Sequence, residues 1–302
     1  MKKSKIVTFK PVSFKSIFID NHFDKQIFKD GYDQFFIHSL KEDKVHLRLP
    51  LPIHRKTVND FMLITNGSCV RQVGITKIEL LDAELLFVAK SSASSTEYMS
   101  DDIEGYYCHF NDELLKHDSS FLDLLNLPES NRRVTLDSDA LIRITAILDN
   151  LTNIYKSSQF NETILGLIGS YLTVLFNEVL WQIKKQGNAP QNKSNRLTMS
   201  YIEMVKANYM KDWNVSDYAD RLMVTANHLN KAVKNMTQRS ASEILAELRV
   251  QEAKIMLLQT DNRISEIASI LGFKDISYFG KFFKKQTGLS PVNYRKMIGL
   301  YQ

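Results

Sequence analysis

The stretch that most restricts how this chain can fold is DNRISEIASILGFKDISYFGKFFKKQTGLSPVNYRKM, Asp261 to Met297. Ile264, Ile267, Ala268 and Leu271 recur at helical intervals and give one apolar face. Gly272 ends that helix, because glycine takes a left-handed backbone at little cost. Phe273 follows as an apolar plug for the turn, and Asp275 can accept from the first free N–H groups of a second helix. The second helix sets Ile276, Phe279, Phe282 and Phe283 on one side and Ser277, Lys281, Lys284 and Lys285 on the other. An apolar side that docks, opposed to hydroxyl and ammonium groups, suits an element that enters a major groove. Gly288 and Pro291 close the unit, and Tyr294 and Arg295 fall on a last short helix.

The pattern IxEIAxxLGFxDxSYFxKFFKKxTGxSPxxYR resembles the C-terminal signature of the AraC/XylS family of bacterial transcription regulators. The resemblance implies two helix-turn-helix units in tandem, and an upstream copy is present from Asp212 to Leu257. Val215, Tyr218, Ala219 and Leu222 form its scaffold face, with Ala219 matching Ala268. Val224 matches Phe273, Thr225 is the expected N-cap, and Leu229, Ala232, Val233 and Met236 are expected to face inward. Met223 stands where the second copy has Gly272, so a less strained turn is expected there. Between the copies, Ser242–Gln259 has neither glycine nor proline and reads as one helix of about 27 Å. Successive major-groove faces recur about every 34 Å, so a stiff rod of this length can hold both units on one side of a duplex.

The resemblance implies double-stranded promoter DNA, RNA polymerase and a second copy of the chain as partners, with a small effector held by the N-terminal part. Carried over position by position, it assigns base contacts to Asn227, Asn230 and Lys231 in the first unit and Ser277, Tyr278 and Lys281 in the second. Gly280 lacks a side chain at a position where the resemblance implies a reader. Lys234, Arg249, Lys254, Lys284, Lys285, Tyr294 and Arg295 are the phosphate candidates, fixing register without reading sequence. Charge is distributed accordingly: residues 196–302 carry net +6 and residues 1–195 net −1.

The expected fold is α+β and multidomain. Residues 1–115 alternate in strand fashion, as at Val45–Leu49, Asp60–Ile64, Thr76–Leu80, Leu85–Val88 and Gly105–Phe110, with turn signals such as Asn66-Gly67 between them. Short strands of this kind suggest a sandwich or barrel, and the family resemblance implies a cupin-like one. Residues 116–185 turn helical. A helix from Asp137 or Ser138 to Tyr155 carries Leu141, Ile144, Leu148 and Leu151, and another opens at Asn161 and runs through Ile183. These helices either pack on the barrel or join a second copy, with Leu141/Leu148 and Tyr171/Leu175 as candidate stripes. Gln186–Asn195, QGNAPQNKSN, reads as a flexible linker. The C-terminal all-α domain then spans 196–302, with helix-turn-helix units at 212–236 and 264–286 and the linking helix at 242–259.

Chemistry-bearing residues are sparse. His38, His46, His54 and His109 lack the close pair and carboxylate of a metal site, so no metal or other cofactor is expected. His54-Arg55 is the candidate cation pair for an anionic effector at the barrel mouth. Cys69 and Cys108 form no ligand spacing and read as buried thiols. No nucleophile with partners and no glycine-rich phosphate loop appears, so no catalytic residue is assigned and an enzyme is not expected. Alkyl-transfer repair of DNA would need a cysteine in an activating, basic setting. A regulator without a ligand and a non-specific architectural DNA binder remain open. No run of eighteen apolar residues appears, and MKKSKIVTFKPVSFKS has no continuous apolar core. Neither a membrane span nor a secretory leader is expected, and the expected location is cytoplasmic.

Overall fold

The computed structural model describes residues 8–18, 28, 30–115, 118–127, 132–186 and 193–299. They fall into two compact units, Thr8–Gly187 and Asn188–Gln302.

The first unit opens with α1 (Pro11–Phe18) and holds two antiparallel sheets. One has strands β1 (Phe35–Ser39), β3 (Asn59–Asn66), β6 (Glu84–Val88), β8 (Glu104–Phe110) and β9 (Arg133–Thr135) in the order β1-β8-β3-β6-β9. The other has β2 (His54–Arg55), β4 (Cys69–Val73), β5 (Thr76–Leu80) and β7 (Ala93–Met99) in the order β2-β7-β4-β5. Side chains alternate between faces along a strand, and β3 is buried on both. Phe61 and Leu63 join Phe87, Cys108 and Phe110 in a core shared with α3 (Ser119–Asn126), α4 (Ser138–Ser157) and α5 (Glu162–Lys185). Met62 and Ile64 join Cys69, Val73, Leu80 and Met99 in a second core drawn from both sheets. Each fully buried side chain of this kind contributes about 1.5–3 kcal/mol.

Several sequence expectations need correction here. Val45–Leu49 is no strand: α2 (Leu40–Lys44) precedes it, with Glu42 and Asp43 favourably placed in the first turn, and only Leu47 makes a bridge. The sheet does not end at residue 115, because β9 adds an edge strand beside β6 from within the expected helical region. Leu148 and Leu175 are 0 % exposed and belong to the core, so neither leads an intersubunit stripe. The apolar residues that α5 leaves exposed are Leu167, Val174 and Trp181. Helix α5 is long and apolar enough to cross a membrane by length and composition alone, a test that buried core helices also pass. Its Ile168, Leu172, Phe176 and Val179 nevertheless sit in the first core. Asp137 and Asn161 cap α4 and α5, accepting from the Ala140 and Ile164 amides.

The second unit is all helical: α6 (Lys193–Asn208), α7 (Val215–Arg221), α8 (Ala226–Thr237), α9 (Ala241–Gln259), α10 (Ile264–Ile270), α11 (Ile276–Thr287) and α12 (Pro291–Gly299). α6 has no counterpart among the sequence expectations; it begins at Lys193, inside the expected linker, and residues 187–192 of that linker lie outside the described residues. Tyr201 of α6 is 0 % exposed, donates from its hydroxyl to the Ala241 carbonyl at 2.6 Å, and meets Tyr218 edge-on. Ser240 caps α9 and Glu243 answers it, so the Glu243 and Ser240 amides are both satisfied. Helices α6, α7, α8, α10, α11 and α12 all pack on α9. At 19 residues, α9 is about 28 Å long.

Candidate nucleic-acid interface

The two helical pairs repeat one another at the level of single hydrogen bonds. In each turn the apolar plug donates its amide to the small scaffold residue: Val224 to Ala219 at 3.0 Å, Phe273 to Ala268 at 2.9 Å. Each second helix is capped by its first-turn acceptor, Thr225 to the His228 amide and Asp275 to the Ser277 amide. Each ends alike as well. Thr237 donates to the Val233 carbonyl and Thr287 to the Phe283 carbonyl, followed by Gln238 at φ 59° and Gly288 at φ 79°. Leu229, Ala232 and Val233 are buried on α8, as are Phe279 and Phe283 on α11.

Three positions depart from expectation. Met223 adopts φ 56°, close to the 80° of Gly272, so the first turn is as left-handed as the second. The hydrogen bond from Val224 to Ala219 closes only with that geometry at the preceding residue, and Met223 is tolerated because it is 92 % exposed. Met236 and Ile276, expected inward, are exposed. Ile276 begins its helix, where the apolar face has not yet met α9.

Of the base-contact candidates, Asn227, Lys231, Ser277, Tyr278 and Lys281 have exposed side chains. Asn230 does not stand free. Its Oδ1 accepts from the Ala241 amide at 2.9 Å, tying α8 to the start of α9. One of the two lone pairs of Oδ1 is thereby engaged, while the residue stays exposed. His228 occupies the place in α8 that Tyr278 holds in α11 and is exposed, a further candidate beside the expected lysines and amides.

The phosphate candidates separate more sharply. Lys234, Lys284 and Lys285 are exposed on the same helices. Arg249 is a staple: its guanidinium donates to the carbonyls of Tyr209, Lys211 and Trp213 at 3.4, 2.8 and 3.1 Å, and lies 5.8 Å from the Phe273 ring centre. Arg295 does the same for the C-terminal end of α9, donating to Leu257 and Thr260 at 3.3 Å each. Such donors satisfy the carbonyls that a helix end leaves unpaired. Tyr294 is 8 % exposed against Phe283, and the Lys254 ammonium lies 6.0 Å from the Tyr294 ring centre. These four are engaged within the helical unit, unlike the three exposed lysines.

A second set of contacts ties the two pairs together. A Cβ at Gly272 would sit 3.1 Å from the Met210 carbonyl oxygen and 3.3 Å from the Asp212 amide nitrogen, so the second turn rests on the backbone that leads into the first pair. Lys274 and Asp212 form an exposed ion pair at 2.9 Å across the same junction.

In the first unit the expected cation pair breaks up. His54 and Arg55 are neighbours on a strand and so face opposite ways. His54 is 2 % exposed and borders a cavity; burial pushes its imidazole down to about 3, so it is neutral. Arg55 turns outward and donates to the Ser91 carbonyl. The cations at the cavity are instead Lys56 and Arg71, which share the carboxylate of Asp60 at 2.5 and 2.9 Å. Their alternation with buried neighbours (Cys69, Arg71 and Val73 on one face of β4) was the available sequence signal. Among the described residues no metal-holding group of His, Cys, Asp or Glu is found. Burial pushes the Cys69 thiol up to about 11 and the Cys108 thiol well above its usual value, the opposite of an activated nucleophile.

Residues 218–297 match the family model described as a helix-turn-helix domain. The raffinose operon transcriptional regulatory protein RafR of Pediococcus pentosaceus is 27% identical over 157 residues, 51% of this chain and 56% of that protein. The lactose operon transcription activator of Staphylococcus xylosus is 26% identical over 176 residues, 58% of this chain and 62% of that protein. The chain spans about half the length of the curated relatives it matches. The crystal structure of ToxT from Vibrio cholerae O395 aligns over 88% of this chain and 97% of its own at 14% identity, with a TM-score of 0.42.

Proposed function

We infer that this chain, whose residues 218–297 match a helix-turn-helix domain, is a sequence-specific DNA-binding regulator of transcription of the AraC/XylS class. The observation that carries this reading is the pairing itself: two matched second helices, α8 and α11, packed on one linking helix, each presenting polar and cationic side chains to solvent. Asn227, His228 and Lys231 read bases from α8, and Ser277, Tyr278 and Lys281 from α11. Lys234, Lys284 and Lys285 hold the flanking phosphates. Similarity to a lactose operon transcription activator favours activation, with RNA polymerase as the partner at the promoter and the cytoplasm as the place of action. The first unit acts as sensor, a role supported by its cavity. Homodimer formation is supported by Leu167, Val174 and Trp181, spaced seven apart and 42, 51 and 53% exposed along α5.

Hydroxyl-radical footprinting of genomic fragments selected by the purified protein tests the reading. Two protected patches about one helical turn apart, and loss of specificity when either α8 or α11 is replaced, are expected. One patch only, or equal affinity for unrelated DNA, would leave a non-specific binder; true sites are typically about 10³–10⁷ tighter. For the dimer, Val174→Glu should yield monomers in sedimentation.

A further inference from the structure

The cavity of the first unit offers about 70 Å³ to the centres of water-sized molecules, room for about five waters or one compact ligand. Most of its wall is apolar and aromatic, including Phe14, Phe28, Phe36, Leu51 and Met62. Its polar groups lie among these, and two of them, at His54 and Arg71, keep a buried atom without a hydrogen-bond partner among the described residues. Lys56 and Arg71 are both nearly buried, yet they share the single carboxylate of Asp60. Among the described lining residues the one carboxylate, Asp43, is engaged by His38 at 2.6 Å. Two cationic side chains thus meet one carboxylate; Lys56 also donates to the Tyr107 hydroxyl at 3.0 Å, and burial pushes its ammonium below the ordinary value, so an excess of cation here is opposed by its surroundings.

The hydrogen bonds give this excess a direction. Arg71 bonds Asp60 through Nη1 alone, and its Nε has no partner among the described residues. A guanidinium edge of this kind matches a carboxylate bidentately. His54 supplies a second demand. Its Nδ1 lies 2.8 Å from the Pro52 carbonyl oxygen, which can only accept. Nδ1 therefore carries the proton, and Nε2 is an acceptor. That Nε2 is buried and without a donor among the described residues.

We propose that this cavity holds a small monoanionic hydroxy acid, its carboxylate on the Nε edge of Arg71 beside Lys56, its hydroxyl donating to His54 Nε2, and its hydrocarbon or aryl body against Phe14, Phe36 and Met62. This deepens the sensor reading above and rests on it. A neutral oligosaccharide would leave the excess charge unanswered and set many hydroxyls against an apolar wall.

The test is titration calorimetry on the full chain. The probes are 4-hydroxyphenylacetate and mandelate, each paired with the amide of the same skeleton, with phenylacetate as the acid lacking a hydroxyl and lactose as the neutral polyol. At least one hydroxy acid is expected to saturate one site per chain and bind tenfold or more tighter than its amide. Arg71→Lys keeps the charge for Asp60 and loses the fork, and is expected to weaken the acid at least tenfold. His54→Phe fits among the neighbouring phenylalanines and is expected to abolish the preference for the hydroxy acid over phenylacetate. Should Arg71→Lys fail to fold, the wild-type contrast of acid with amide decides. No binding by either acid, equal binding of acid and amide, or tighter binding of lactose overturns the proposal. The sensor reading is separated by measuring operator affinity in the same samples. An acid that binds without changing that affinity upholds the site and ends the sensor role. A response to lactose alone upholds the sensor role and ends the site.

Discussion

The two turns of the DNA-binding unit should respond in opposite senses to exchange of their left-handed residues. Gly272 sits at φ 80°, and a Cβ there would meet backbone atoms of Met210, Lys211 and Asp212 at 3.1–3.3 Å. Alanine at a left-handed position costs about 1–2 kcal/mol, and crowding against backbone that cannot rotate aside adds about 1 kcal/mol. The reduced freedom of the unfolded alanine chain returns about 0.4–1 kcal/mol. Gly272→Ala should therefore destabilise the unit by about 2 kcal/mol, lowering its Tm by about 8–16 °C at 4–8 °C per kcal/mol for a domain of this size. Met223 holds φ 56° and is 92 % exposed, so almost no packing is lost on truncation. Met223→Gly relieves about 1–2 kcal/mol of strain and costs about 0.5–1 kcal/mol in backbone entropy. A gain of about 0.5–1 kcal/mol is expected. Calorimetric scans assign each transition, with hydrogen exchange of 262–287 identifying the C-terminal one. Gly272→Ala should also weaken operator binding, because the displaced turn carries α11 with it. A Gly272→Ala unit as stable as wild type, or a Met223→Gly unit less stable, would refute the turn geometry.

Three further outcomes follow from the same structure. Arg249→Met removes charged donors from the Lys211 and Trp213 carbonyls and should cost about 2–3 kcal/mol of stability in urea titrations while leaving the salt slope of DNA binding unchanged; a slope reduced by about one would restore its phosphate role. Lys281→Ala should relax specificity at one base pair by about 1–3 kcal/mol, whereas Lys284→Ala should weaken all sequences and flatten the salt slope by about one, as read by binding to a mutated-site panel. His54 and His109 are pushed down by burial to about 3 and about 4. The unfolded chain binds more protons between those values and about 6.5, so this stability is whole above pH 6.5 and lost as pH falls through the window. Each histidine should contribute up to about 2 kcal/mol between pH 6.5 and pH 5. Urea midpoints that do not fall with pH, or that fall equally in His54→Phe, would refute the assignment.

What the sequence made legible was what local rules govern. The apolar spacing of α7 and α10, the caps at Thr225, Asp275, Asp137 and Asn161, and the breaker-free α9 are each decided within a few residues, and the structure realises them. The errors lie where a distant partner decides. Val45–Leu49 alternates like a strand, but α2 brings Glu42 and Asp43 onto His38 and consumes that segment in the following turn. Arg249, Arg295 and Tyr294 resemble surface residues in composition, yet each has a partner more than ten residues away that draws it inward. The cavity cations illustrate the same limit. Lys56, at an isolated bridge to Phe9, and Arg71, on β4, look solvated in sequence, and only tertiary pairing brings them both to Asp60 on β3. A cation shows its function in sequence when its helix face is exposed, as at Lys231, Lys281 and Lys284. It conceals that function when burial must first supply the acid that makes it tolerable, because the cost of burying it depends on the partner rather than on the residue itself.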